Sequence, residues 1–236
     1  MQSRRHRLDR FISSRTGISR RDVRSVLAQG RVLVDGSVAT AINQLVEQFS
    51  QVTLDDRVLQ ANSPVYVMMN KPRGVVSATR DAQHTTVIDL LQCPDRKSLH
   101  IAGRLDFNTT GLILLSNDGR WSRQLTMPTQ RITKQYRVRL EKPLSEDYIN
   151  AFAQGMYFAY ENIATRPARL HIISDHVAEV SLIEGRYHQI KRMFGRFDNR
   201  VLELHRFAIG NLPMDTNLGL GQSRELTALE VTTIGN

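Results

Sequence analysis

The chain alternates between two spacings of apolar residues, and the change from one to the other divides it. From Arg7 onward, Leu8, Phe11 and Ile12 recur at helical spacing until Gly17, a residue that commonly closes a helix. Ser19 then offers a fresh N-cap with Asp22 three residues on. The segment behind it sets Val23, Val26 and Leu27 on one face and Arg20, Arg21 and Arg24 on another, and stops at Gly30. Positions 31–34 read as a strand, Asp35-Gly36 as a tight hairpin turn, and Ser37 as the start of the return strand. The pattern predicts helix, turn, helix and hairpin in one small unit.

Positions 60–64 are polar and end in proline, as a linker would, and the apolar run 65–69 opens a larger unit. Short apolar segments follow at 75–76, 99–102, 112–115, 136–140, 168–173, 177–183 and 201–204, and these have the length of strands. Helical spacing interrupts them at 87–91, around 121–125, at 146–154 behind the cap Ser145, and at 187–197. The expectation is an α+β protein: a small α/β module over residues 1–62, then a domain over 63–236 built on a largely antiparallel mixed sheet. No internal repeat or low-complexity segment is present.

Charge changes the picture. Thirty-two Lys and Arg against 23 Asp and Glu give a formal net charge of +9 in 236 residues, and the pI is about 10.2. Such an excess points to a polyanionic partner, nucleic acid first. Mean hydropathy is -0.33 and there is no long apolar run, so no membrane span or lipid-lying helix is expected. The basic start lacks the apolar core of a secretory signal. Cys93 is the single cysteine, which excludes an internal disulfide and suits a reducing compartment, the cytoplasm. Nothing beside it suggests a nucleophile.

The positive charge is concentrated early. Arg4, Arg5, Arg7, Arg10, Arg15, Arg20, Arg21, Arg24 and Arg31 face only Asp9 and Asp22 over residues 4–31. Guanidinium forks suit phosphate oxygens and give salt-dependent affinity that does not read sequence. The order of helix, Gly17-Ile18-Ser19-Arg20-Arg21, helix, then Gly30-Arg31-Val32-Leu33-Val34-Asp35-Gly36 resembles the S4 RNA-binding domain over about residues 7–50. That resemblance implies folded RNA and no particular chemistry.

The larger unit carries one distinctive loop, Gly103-Arg104-Leu105-Asp106-Phe107-Asn108-Thr109-Thr110-Gly111-Leu112, between two apolar strands. Loops anchored on a sheet are common places for catalytic groups, although Gly, Asn, Asp and Thr are also ordinary turn residues. Three further motifs accompany it in order: Asn70-Lys71-Pro72, Lys134-Gln135-Tyr136, and Glu184-Gly185-Arg186-Tyr187-His188-Gln189-Ile190-Lys191-Arg192-Met193-Phe194. Together with the S4-like start they resemble the small-subunit ribosomal RNA pseudouridine synthase family over nearly the whole chain.

The resemblance implies an aspartate nucleophile at Asp106, an active-site tyrosine at Tyr136, a basic partner at Lys191 and an apolar neighbour at Ile190. It implies isomerisation of one uridine in ribosomal RNA or a ribosomal subunit assembly intermediate. The N1 to C1′ bond is broken, the uracil turns, and C5 is joined to C1′, with no redox change and no cofactor. A carboxylate could attack the sugar carbon or help abstract a sugar proton, and both routes stay open. A cation such as Lys191 would favour the ionised carboxylate. Tyr136 offers a ring for stacking and a hydroxyl for proton transfer.

Arg104 is a candidate wedge or phosphate clamp for an unstacked nucleotide, and Arg186, His188, Gln189 and Arg192 are candidates for holding phosphate or a uracil carbonyl. In the small module the RNA-binding candidates are Arg20, Arg21, Arg24 and Arg31. Seven scattered histidines with no His-Glu-x-x-His or paired cysteines give no metal site. The chain stops soon after Val231 without the basic tail of some large-subunit relatives, which favours 16S small-subunit RNA over 23S RNA. A non-catalytic RNA-binding assembly protein is the competing reading, and a monomer is expected because one-site modification needs no symmetry.

Overall fold

A computed structural model describes residues 5–235, so Arg4 of the basic run lies outside the described residues. The chain separates after Pro64 into two compact units. In the first, a short strand His6–Arg7, paired with Leu45–Val46, leads into α1 (Leu8–Thr16) and α2 (Arg20–Ala28). Gly17 ends α1 in the left-handed conformation at φ 77°, and its N–H bonds the Ser13 carbonyl. Ser19 caps α2 as its spacing suggests: its hydroxyl accepts the Asp22 N–H and donates to the Asp22 carboxylate.

Strands β1 (Val32–Val34), β2 (Ser37–Val38), β3 (Val52–Leu54) and β4 (Arg57–Gln60) form an antiparallel sheet in the order β2-β1-β3-β4. Asp35 and Gly36, both at positive φ, make the β1 to β2 turn. Leu8, Phe11, Ile12, Val23, Val26 and Leu27 close over Val32, Val34, Val52 and Leu54 in a separate core. The second hairpin, β3 and β4, falls where no strand was expected.

The second unit is built on β5 (Tyr66–Lys71), β6 (Thr110–Ser116), β7 (Lys134–Leu140), β8 (Arg169–Ser174), β9 (Val177–Leu182), β10 (Val201–Ile209) and β11 (Ser223–Glu225). Their order is β8-β9-β7-β10-β6-β5-β11, with His100–Ile101 against β6 and Leu212–Pro213 against β10. Every pairing is antiparallel except β10 with β6, where His205 faces Thr110 and Arg206 faces Gly111.

Alternation along the central strands explains their continuous apolar character. Val67, Met69, Ile113 and Leu115 enter one core with Tyr136, Phe152, Ile190 and Phe194. Met68, Leu112 and Leu114 enter another with Trp121, Leu125 and Ile234. A sheet covered on both faces has no polar side to show. Helices α3 (Gly119–Thr126), α4 (Glu146–Gln154), α5 (Gln189–Gly195) and α6 (Ala228–Thr233) complete the unit. None of the helices among the described residues is long and apolar enough to cross a membrane.

Several expectations need correction. The helix expected at 87–91 is a turn, because Thr86 and Asp89 exchange reciprocal bonds that close the chain locally, and Pro94 follows. The helix expected at 187–197 is shorter: His188, in the left-handed conformation at φ 49°, delays its start. Ser145 stands at the α4 N-cap, but its hydroxyl makes no capping bond. β10 runs five residues beyond Leu204, to Ile209, and α6 falls in a segment with no helix expected.

Gly111 sits in the parallel pairing of β6 with β10 at φ 102°, and a Cβ there would lie 2.2 Å from the Arg206 carbonyl oxygen. Only glycine lets the two strands approach this closely. Gly111→Ala should therefore destabilise the chain by at least about 2 kcal/mol in urea unfolding. A midpoint unchanged from wild type would mean that this approach is not required.

Candidate active site

Asp106 lies in the loop 103–109 that leads into β6. Its backbone is fixed from three directions. Ser77, buried beneath the loop, donates its hydroxyl to the Leu105 carbonyl at 2.6 Å and accepts the Leu105 N–H at 3.1 Å. Lys71, at the end of β5, is 0 % exposed. Its ammonium donates to the carbonyls of Pro72, Asp106, Phe107 and Thr109 at 2.9 to 3.2 Å.

The third anchor is Arg206, 2 % exposed on β10. It donates through Nε to Leu112 O at 2.7 Å and through Nη2 to Gly103 O at 2.9 Å. Its Nη1 reaches Arg104 O at 3.5 Å and the Tyr136 hydroxyl at 3.4 Å. A buried guanidinium needs several acceptors at once, and the loop supplies them.

The Asp106 side chain keeps 27 % of its surface exposed. Lys191 Nζ approaches its Oδ2 at 3.1 Å, and His188 Nε2 approaches the same oxygen at 3.6 Å. The structure thus brings Asp106 and Lys191 together, and it joins Tyr136 to the same loop through Arg206. Tyr136 is buried on β7. Two residues before it, Lys134 donates to Leu125 O and Ile132 O, and burial pushes its ammonium down to about 8.

The segment carrying Lys191 is built on Glu184. This buried carboxylate accepts the Arg166 N–H, the Arg186 Nε–H and the Gln189 side-chain amide. The Gln189 oxygen in turn accepts the Arg186 N–H at 3.0 Å. Gln189 is therefore occupied within the protein, and Ile190 lies buried in the main core. Arg192 forms a two-pronged ion pair with Glu161 and lies over the Phe158 ring at 3.9 Å. Arg104 is exposed beside Asp106 with a free side chain among the described residues.

In the first unit Arg20, Arg21 and Arg24 stand on the exposed face of α2. Arg31 instead forks onto Asp55. Among the described residues no group of three His, Cys, Asp or Glu side chains could hold a metal ion.

Lys71 and Arg206 were given no role from sequence. Lys71 stands in the Asn-Lys-Pro motif as a charge ending an apolar strand, and Arg206 takes an inward position in the alternation of β10, both signals of a buried cation. Burial pushes the Lys71 ammonium down to about 8; the Asp106 charge opposes that, and Lys191 and Arg206 add to it.

Residues 65–195 match the family model described as RNA pseudouridylate synthase, and residues 6–61 match the S4 domain. A ribosomal small subunit pseudouridine synthase A from Pseudomonas aeruginosa is 50% identical over 97% of this chain and 100% of its own length. The protein of that name from Escherichia coli K12 is 39% identical over 97% and 99% of the two chains. A crystal structure of a pseudouridylate synthase superposes with a TM-score of 0.71 at 36% identity, covering 97% of this chain and 99% of that one.

Because the folded Lys71 holds its proton less tightly than the unfolded chain, the unfolded state binds more protons between about 8 and 10.5. Stability contributed by this group should rise with pH across that window. Wild type should gain on Lys71→Met by on the order of 1 to 3 kcal/mol from neutral pH to the top of the window. Paired urea titrations check this, and a difference that is flat or shrinking with pH would refute it.

Proposed function

The chain belongs to the RNA pseudouridylate synthase family, and from that premise we propose that it isomerises a specific uridine of small-subunit ribosomal RNA, with Asp106 as the attacking group. The observation that carries the reading is a partly exposed carboxylate, 3.1 Å from a lysine, on a loop whose backbone is held by buried side chains. The pseudouridine synthase activity follows from family membership. The choice of the small subunit is supported by the names of the full-length relatives.

The target uridine leaves its stack to reach Asp106. The ionised carboxylate then either bonds to C1′ as the N1 to C1′ bond breaks or assists loss of a sugar proton, and both routes free uracil to turn within the site. Joining C5 to C1′ leaves a proton on C5 that must be removed, while N1 gains one. Tyr136, whose hydroxyl is turned to Arg206, is the candidate for that proton transfer. Lys191 orients the carboxylate and balances its charge during the reaction.

We assign RNA holding to residues 1–62, through Arg20, Arg21 and Arg24, and chemistry to residues 63–236. Arg104, Arg186 and His188 are the proposed RNA contacts near Asp106. Gln189 and Arg192 shape the segment that presents Lys191, and Ile190 packs beneath it. On this reading the protein works as a monomer in the cytoplasm, on ribosomal RNA or a subunit assembly intermediate.

Asp106→Asn keeps the side-chain volume and removes the charge. It should lower tritium release from 5-tritiated uridine in ribosomal RNA by at least about a thousandfold, with RNA affinity within about twofold of wild type. Wild type that releases no tritium would return the protein to the role of an RNA-binding assembly factor. Free uracil would indicate a hydrolase. Mapping pseudouridines in a strain lacking the protein identifies the subunit, and a loss confined to 23S RNA would overturn the small-subunit assignment.

A further inference from the structure

Next to the carboxylate stands an aromatic surface to which no role has been assigned. Tyr187 is 76 % exposed. One face of its ring lies on the His188 imidazole, with centroids 3.9 Å apart and planes inclined by 18°. That imidazole reaches Asp106 Oδ2 through Nε2 at 3.6 Å. The Tyr187 ring is therefore separated from the carboxylate by a single intervening ring, with its other face open to solvent.

The backbone supports the same placement. His188 holds a left-handed conformation, φ 49° and ψ 30°, immediately before α5. A non-glycine residue adopts it at a cost, and it persists where the surroundings impose it, commonly at binding and active sites. Here the Glu184, Arg186 and Gln189 network fixes the turn on both sides of the pair. The turn holds the two rings against each other and beside Asp106 instead of leaving Tyr187 free to swing.

The chemistry of the reaction supplies an occupant. When a uridine is drawn out of an RNA strand, its neighbour loses a stacking partner and exposes a π face. An aromatic ring one layer from the reacting carboxylate can take the place of the lost base, and such stacking tolerates any base because every base has a face. We propose that Tyr187, backed by His188, is the stacking platform for the nucleobase adjacent to the target uridine. The inference rests on the reading of Asp106 as the reacting group. It adds a requirement: the strand beside the target must be unpaired, so that a flanking base can reach Tyr187.

The test uses the full chain and 5-tritiated transcripts of 16S and 23S ribosomal RNA, with kcat and KM measured on whichever transcript wild type modifies. Tyr187→Ala should raise KM by roughly tenfold, within the range of one lost base stack, with a smaller effect on kcat. Tyr187→Phe, which keeps the ring and loses the hydroxyl, should restore KM to within about twofold of wild type. Tyr160→Ala, which removes an even more exposed ring from the turn at 159–162, serves as the control and should leave KM unchanged.

A Tyr187→Ala enzyme with the KM of wild type overturns the platform. So does a Tyr187→Phe enzyme as impaired as Tyr187→Ala, which would assign the effect to the hydroxyl, and so does an equal loss in Tyr160→Ala. Wild type inactive on both transcripts and on the assembling subunits that contain them would instead remove the reading of Asp106 on which the platform depends.

Discussion

Two cations placed inside a sheet must find oxygen atoms there, and the loop that bears Asp106 provides them. Lys71 and Arg206 come from opposite flanking strands of β6 and end on the carbonyls of 103–112. Leaving either charge without those acceptors would cost several kcal/mol, far more than most surface interactions return. The loop is therefore held by the needs of the cations as much as by its own turn residues. Its backbone is fixed while the carboxylate remains accessible, the combination that lets a side chain act without reorganising.

The remaining positive charge is used differently. Many arginines of the catalytic unit are tied to nearby carboxylates, as Arg192 is to Glu161 and Arg224 is to Asp215 and Glu230. In the first unit the α2 arginines face solvent with no such partner among the described residues. A phosphate backbone meeting that face displaces counterions instead of breaking internal ion pairs, so the surface is available for RNA without prior disruption.

Local pattern carried the helices of the first unit and α4 because start and stop residues frame their apolar stripes, Gly17 and Ser19 between α1 and α2 and Gly155 after α4. It failed at 87–91, where five residues offer the same spacing but a Thr86 and Asp89 exchange ends the segment. The strands of the central sheet were visible as short apolar runs, yet their order was not, since pairing β6 with β10 depends on contacts far apart in sequence. Asp106 and Lys191 were singled out through ordered motifs, and the fold sets them 3.1 Å apart. Loop composition alone describes an ordinary turn. Lys71 and Arg206 gained meaning only when folding carried three distant segments to one place, since a lone charge in a strand reads equally well as a sheet edge.

That convergence has a kinetic side. Leu112 and the guanidinium that holds its carbonyl are 94 residues apart in sequence, and the pairing of β6 with β10 closes a comparably long loop across the domain's central sheet. Long-range parallel pairing is slow, because the entropy of closing such a loop is lost before the contacts compensate it. During synthesis the segment carrying Asp106 leaves the ribosome well before Arg206 exists to receive it. The nascent chain can bury its N-terminal module at once, whereas the catalytic geometry is among the last features to form. The first unit, whose core is drawn wholly from its own residues, can therefore close before the loop of Asp106 acquires its last anchor.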